Sequence, residues 1–107
     1  MAFDKAYLNP VGGQSKRGKA PQVWTYATLD THATVDSAQY FNGGSNTPYG
    51  GAYNLLEIGD IIYVVVWATA IGAGGTLSTY GTHIVKDKAS GAIDVTDVTV
   101  GTVTDTD

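Results

Sequence analysis

The sequence predicts a mainly β fold, a small β-barrel or β-sandwich with one short helix and an extended N-terminal arm. Three observations carry this. At 107 residues the chain has room for a single hydrophobic core. Charged residues are 15% of it, against ~25% in an average domain, so glycine, threonine and tyrosine must cover much of its surface. Thr and Tyr favour pleated, half-buried positions, and glycine supplies tight turns. The apolar residues also fall into short runs broken by Gly, Asn and Asp, the spacing of several short strands.

Residues 1–21 read as the arm. Asn9-Pro10-Val11-Gly12-Gly13 is a turn or joint, and Gln14 to Pro21 is polar and basic without an apolar period. Phe3, Tyr7 and Leu8 are large apolar residues that a disordered tail seldom carries. They are expected to anchor on the chain's own body or on a neighbouring subunit.

The β-rich body is expected over 22–100. Val23 to Thr28 is its first strand, ended by Asp30-Thr31-His32. Val35, Ala38, Tyr40 and Phe41 have roughly helical spacing, with Thr34 or Asp36 as cap, so one helical turn is expected to end near Asn42-Gly43-Gly44. Residues 42–54 form a long polar loop containing Pro48, Tyr49 and Tyr53, and Leu55 to Asp60 closes on a Gly-Asp turn. Ile61 to Trp67 is apolar without alternation, which predicts a central strand buried on both faces. After the glycine turn at 71–75, Thr76 to Lys86 alternates loosely as a strand, and Lys88 to Gly91 turns again. Ile93 and Val95, then Val98 and Val100, alternate with a slip of phase at Thr96-Asp97, which predicts a bulge or bend. Residues 101–107 form an acidic tail.

Several classes fall away on composition. No cysteine means no disulfide, thiolate metal site or cysteine nucleophile, and favours assembly in a reducing cytoplasm. Met1 to Pro10 lacks the order of a signal peptide, and the run 61–68 is far shorter than the ~20 residues of a membrane span. The net charge of −4 is uneven. Lys5, Lys16, Arg17 and Lys19 oppose only Asp4 in the first twenty residues, while the other acids lie beyond. Such a molecule can join head to tail or lay its basic arm on an acidic neighbour, or both ends can be solvated tails.

The residues for catalysis are sparse. His32 and His83 are the only imidazoles, and no Gly-x-Ser-x-Gly accompanies them. Asp30 and His32 are close enough in sequence to meet, which reads as a hydrogen-bonded turn before it reads as a small enzyme's acid–base pair. Asp36, Glu57 and Asp60 lack the deep cleft and raised acid that glycoside hydrolysis requires. Gly72-Ala73-Gly74-Gly75 lacks the Gly-Lys-Ser/Thr ending of a phosphate loop, and Asp94-x-x-Asp97 and Asp105-x-Asp107 lack the glycine and glutamate of a calcium loop. Neither catalytic nor metal residues are therefore assigned, and no cofactor is expected. An acidic body with three clustered bases argues against nucleic acid as a partner. The distinctive chemistry is seven tyrosines and two tryptophans, which serve as core, interface anchors or sugar platforms.

Two stretches carry a resemblance. Pro21 to Asn42 (Pro-Gln-Val-Trp-Thr-Tyr-Ala-Thr-Leu-Asp-Thr-His-Ala-Thr-Val-Asp-Ser-Ala-Gln-Tyr-Phe-Asn) and Leu55 to Val64 (Leu-Leu-Glu-Ile-Gly-Asp-Ile-Ile-Tyr-Val) resemble a module of small virion proteins of tailed bacteriophages, of the head-decoration (cement) or head-fibre type. The likeness leaves out residues 1–20 and the acidic tail, and brings no catalytic residues. It implies a capsid decoration protein on the outer surface of the assembled head, made in the host bacterial cytoplasm. Its expected partners are the major capsid protein and its own copies, as a dimer or trimer, with no nucleic acid or membrane. Phe3, Tyr7, Leu8, Lys16, Arg17 and Lys19 would dock the arm, and Trp24, Tyr26, Tyr49 and Tyr53 would supply self-interface or loop contacts, while Trp24, Tyr26, Tyr63 and Trp67 of the body strands would hold the core or the self-interface. The alternative is a glycan- or host-surface-binding module of a fibre or tail, with Tyr49 and Tyr53 stacking on sugars.

Overall fold

A computed structural model describes residues 3–11, 21–43, 49–72 and 74–102. Its centre is a mixed sheet of six strands: β1 (Leu8–Val11), β2 (Val23–Thr28), β3 (Ile61–Trp67), β4 (Leu77–Asp87), β5 (Asp94–Val95) and β6 (Thr99–Thr102). The order is β1-β2-β3-β4, with β5 and β6 following one another along the outer edge of β4. All neighbours are antiparallel except β2 and β3, which pair in parallel from Val23↔Ile61 to Thr28↔Val66. The fold is mainly β, with one helix, α1 (His32–Val35), and three single 3-10 turns among the described residues. The sheet stays open and does not close into a barrel, because β1 and the β5–β6 edge lie at opposite ends of the order.

Parallel neighbours cannot be joined by a hairpin, so residues 29–60 cross over between β2 and β3. That crossover is the second layer. Val35, Tyr40, Phe41, Ala52 and Leu56 from it pack on Trp24, Tyr26, Ile62, Val64, Val66 and Val85 of the sheet, with Ile93 and Val95 completing one core. The burial of β3 is strictly alternating, with Ile62, Val64 and Val66 inside and Tyr63 exposed. The two-sided burial expected for this strand is thus corrected: the sheet has one covered face, and β3 is apolar on both.

The crossover is pinned by polar contacts. Thr31 caps α1, its Oγ1 accepting from the Thr34 N–H at 3.4 Å. The helix does not run on to Phe41 as its spacing suggested. Gln39 takes a left-handed backbone (φ 66°) and gives its N–H to the Ile93 carbonyl, splitting the segment into α1 and a separate turn at Tyr40–Asn42. Asn42, wholly buried, then bonds both the Gly91 carbonyl (2.6 Å) and the Ile93 N–H (2.8 Å). Gly51 (φ 57°) is required where it stands, since a Cβ there would lie 2.5 Å from the Phe41 carbonyl oxygen.

The body also starts before residue 22 and reaches past 100. β1 pairs with β2 from Leu8↔Tyr26 to Val11↔Val23, and β6 runs to Thr102. Leu8 is buried, and Phe3 stacks on Tyr26 with ring centroids 5.5 Å apart while meeting Phe41 edge-on at 5.5 Å. The β-bulge between Val66 and Trp67 rephases β4, and the break expected at Thr96-Asp97 separates β5 from β6. Because Phe3 completes an aromatic cluster, Phe3→Ala is expected to lower stability by about 2 kcal/mol. The urea midpoint would fall with an unchanged slope, whereas an unattached arm would leave it in place.

Candidate functional site

The acids and imidazoles singled out from the sequence are brought together in pairs that stabilise the fold. Asp30 Oδ2 accepts from the Tyr40 hydroxyl at 2.7 Å, and the Tyr26 and Tyr40 hydroxyls lie 2.9 Å apart. Burial raises the Tyr40 hydroxyl far above the ordinary tyrosine value, and its hydrogen bonds to Tyr26 and Asp30 act the same way. Its proton therefore stays in place. Asp60 accepts from three N–H groups at 3.0 Å each: the Gln22 backbone, the Trp24 indole and the Glu57 backbone. One buried carboxylate thus ties the start of β2 to the end of the crossover. Glu57 pairs with Lys88 at 3.3 Å, and Asp36 closes the end of α1.

His32 faces His83 rather than Asp30. His32 Nδ1 lies 3.4 Å from His83 Nε2, and His83 Nδ1 lies 3.0 Å from the Thr96 carbonyl oxygen. That carbonyl can only accept, so His83 carries its proton on Nδ1 and His32 donates from Nδ1 to the His83 lone pair. His32 Nε2 is then an enclosed lone pair with no hydrogen-bond partner. Burial lowers the pKa of both rings, and for His32 the neighbouring ring adds to the effect. Asp36 acts in the opposite sense on both, and Asp97 on His83. The pair is a neutral joint between α1, β4 and the β5–β6 break. Among the described residues no three His, Asp or Glu side chains converge as a metal site, and no helix is long and apolar enough to cross a membrane.

The residues assigned to contact separate into four groups. Phe3, Leu8, Trp24 and Tyr26 pack on the chain's own core, one of the two placements expected for them: each fills space under the crossover or beside it. Lys16, Arg17 and Lys19 lie outside the described residues. Tyr49 (62% exposed) stays at the surface, edge-on to Tyr53, whose ring lies 4.3 Å beneath the Lys88 ammonium. With the exposed Ile58 beside Glu57, these residues form a patch on the crossover layer.

Among the described residues, most of the exposed large apolar side chains lie on the sheet's other face. Cross-strand register lines up Val11, Val23, Ile61 and Ile84 in one row, then Asn9, Thr25, Tyr63 and Thr82, then Ala27, Val65 and Tyr80, then Trp67 and Leu77. No charged side chain stands in these rows. Their large members are open to solvent, Tyr63 at 48%, Tyr80 at 51%, and Leu77 and Ile84 at 42% each. Over β2, where the side chains are the small Thr25 and Ala27, the face sinks into a furrow of about 270 Å³ walled by Tyr7, Asn9, Val65 and Trp67. Of the residues named from the sequence, Tyr7, Tyr63 and Trp67 belong here. Sequence reasoning missed this face because β3 shows no alternation to read. The available signal lay in β4, where Tyr80, Thr82 and Ile84 interleave with Gly81, His83 and Val85.

Comparison with protein-family models, with curated proteins and with solved structures finds no match to this chain. The geometry therefore stands alone.

Two outcomes follow from the buried polar groups. Asp60→Ala strands three N–H donors and is expected to cost about 3 kcal/mol or more, measured by denaturant unfolding. Acid should also weaken the fold through the histidines. The folded pKa values lie below the unfolded 6.5, so beneath that pH the unfolded chain binds more protons. Stability is full above pH 6.5 and falls below it, by at most about 1.4 kcal/mol per pH unit for each ring. In His83→Gln the slope between pH 6.5 and 5 should flatten; an unchanged slope would assign it elsewhere.

Proposed function

We propose that this chain is a non-catalytic structural protein that coats the assembled head of a tailed bacteriophage and stabilises it by bridging major capsid protein subunits. The observation that carries the reading is the open sheet face, an uncharged apolar surface of the kind that marks protein interfaces. The buried Asp30, Asp60 and Asn42 side chains, by contrast, are engaged in holding the crossover in place. The resemblance of residues 21–42 and 55–64 to head-decoration proteins supplies the assembly. A protein that binds only the assembled shell shifts the equilibrium towards it, and many copies make modest contacts sufficient.

In this reading the shell is met by the basic cluster Lys16, Arg17 and Lys19 and by the Tyr49–Ile58 patch. The exposed ring of Tyr49 beside Tyr53 also keeps a glycan-binding fibre module as the second reading.

Purified protein added to heads lacking it is expected to bind saturably at hundreds of copies per particle. Replacing Lys16, Arg17 and Lys19 by Glu should weaken that binding at least ~10-fold, with the loss greatest at low salt. A handful of copies at one site, together with a glycan-array signal abolished by Tyr49→Ala, would favour the fibre reading instead. Heads that take up no protein contradict decoration.

A further inference from the structure

We infer that the open sheet face pairs with a second copy of this chain, the two sheets stacking into one β-sandwich about a two-fold axis parallel to the strands. The inference rests on the reading of that face as an interface, and names the partner it takes.

Shape is the first argument. Half of the face is a ridge, where Tyr63 and Tyr80 stand about half exposed with Leu77 and Ile84 on β3 and β4. The other half is the furrow over Thr25 and Ala27 of β2. A rotation about an axis along the strands turns the face over and exchanges its left and right sides. Each copy's ridge then lies over the other's furrow, the self-complementarity that a two-fold interface requires. An axis across the strands would set ridge against ridge. The permitted arrangement is also the common aligned packing of sheets, with mean strand directions within ~30°.

Charge is the second. Both copies carry a net charge of −4, and rows without charge let them meet with no like charges opposed. At the rim, Lys86 and Asp94 are paired with each other at 3.5 Å. A partner selected by electrostatics would find no group here to recognise.

Size is the third. Five strand positions at ~4.8 Å and strands of about seven residues at ~3.3 Å give a face of roughly 20 by 23 Å. Side-chain relief brings this towards the ~800 Å² that each partner contributes to a standard interface. In plan it is about 460 Å², within the ~300–600 Å² of the largest apolar patch on ordinary monomers, a patch that is often functional.

The test is sedimentation equilibrium on the full chain and two variants. Wild type is expected to be a dimer at micromolar concentration. Tyr80→Glu places a carboxylate over the partner's furrow and should raise the dissociation constant at least 100-fold, while its circular dichroism and melting match the wild-type monomer. Thr25→Lys sets a cation in the furrow, and mixing it with Tyr80→Glu should yield a heterodimer tighter than either homodimer. A wild type that stays monomeric at 100 µM overturns the inference, as does a dimer that Tyr80→Glu leaves intact or a mixture without heterodimer. Head binding separates the two proposals. A monomer that coats heads removes self-pairing and leaves decoration standing, and a dimer that ignores heads does the reverse.

Discussion

One parallel pairing organises this molecule. Because β2 and β3 run side by side in the same direction, the chain between them must pass over the sheet, and it can cover only one face in doing so. The strands supply apolar side chains in both directions, so the covered face becomes the core and the other remains an apolar surface. Burial of one face accounts for stability. The other face is left for contact with another molecule.

The crossover holds its place through a few buried polar contacts rather than through long helices. Asp60 gathers three N–H donors at its end, Asn42 clasps the segment after β4, and the His32–His83 pair joins α1 to β4. Each is buried, so leaving any partner unmade carries a desolvation penalty well beyond the worth of the bond. This accounts for the Asp, His and Asn side chains that lie inside a small acidic protein. It also fixes the crossover's register on the sheet, and with it the aromatic cluster that Phe3 joins from the N-terminal side.

The β character was legible in the residues, since Val23–Thr28 and Ile61–Trp67 are rich in β-formers bounded by turn residues. The break at Thr96-Asp97 was legible too, through its slip of phase. The parallel pairing was not, because nothing local in either strand states its neighbour's direction. The helix at His32–Val35 was displaced from its expected position, as Gln39 adopts a left-handed backbone that tertiary contact with Ile93 stabilises. Leu8 read as part of an arm because Pro10 and the following glycines look like a joint. Instead Pro10 sits in β1, an edge strand, where its missing N–H costs least. The open face was hidden for a physical reason: in β3 both faces are apolar, so periodicity cannot distinguish a strand covered twice from one covered once.

Joined by their open faces, two copies would possess the second sheet that a sandwich needs, with the Tyr49–Ile58 patches turned outward for other contacts. The central claim is thus that Tyr63 and Tyr80 stand in solvent in a lone protomer and lose it only to another molecule. Hydroxyl-radical footprinting across a dilution series measures this directly. The account predicts that Tyr63 and Tyr80 react as readily as Tyr49 at nanomolar concentration and become protected as concentration rises, while Tyr49 does not change. Protection of Tyr63 and Tyr80 at every concentration would mean that the chain covers its own face, contradicting the account.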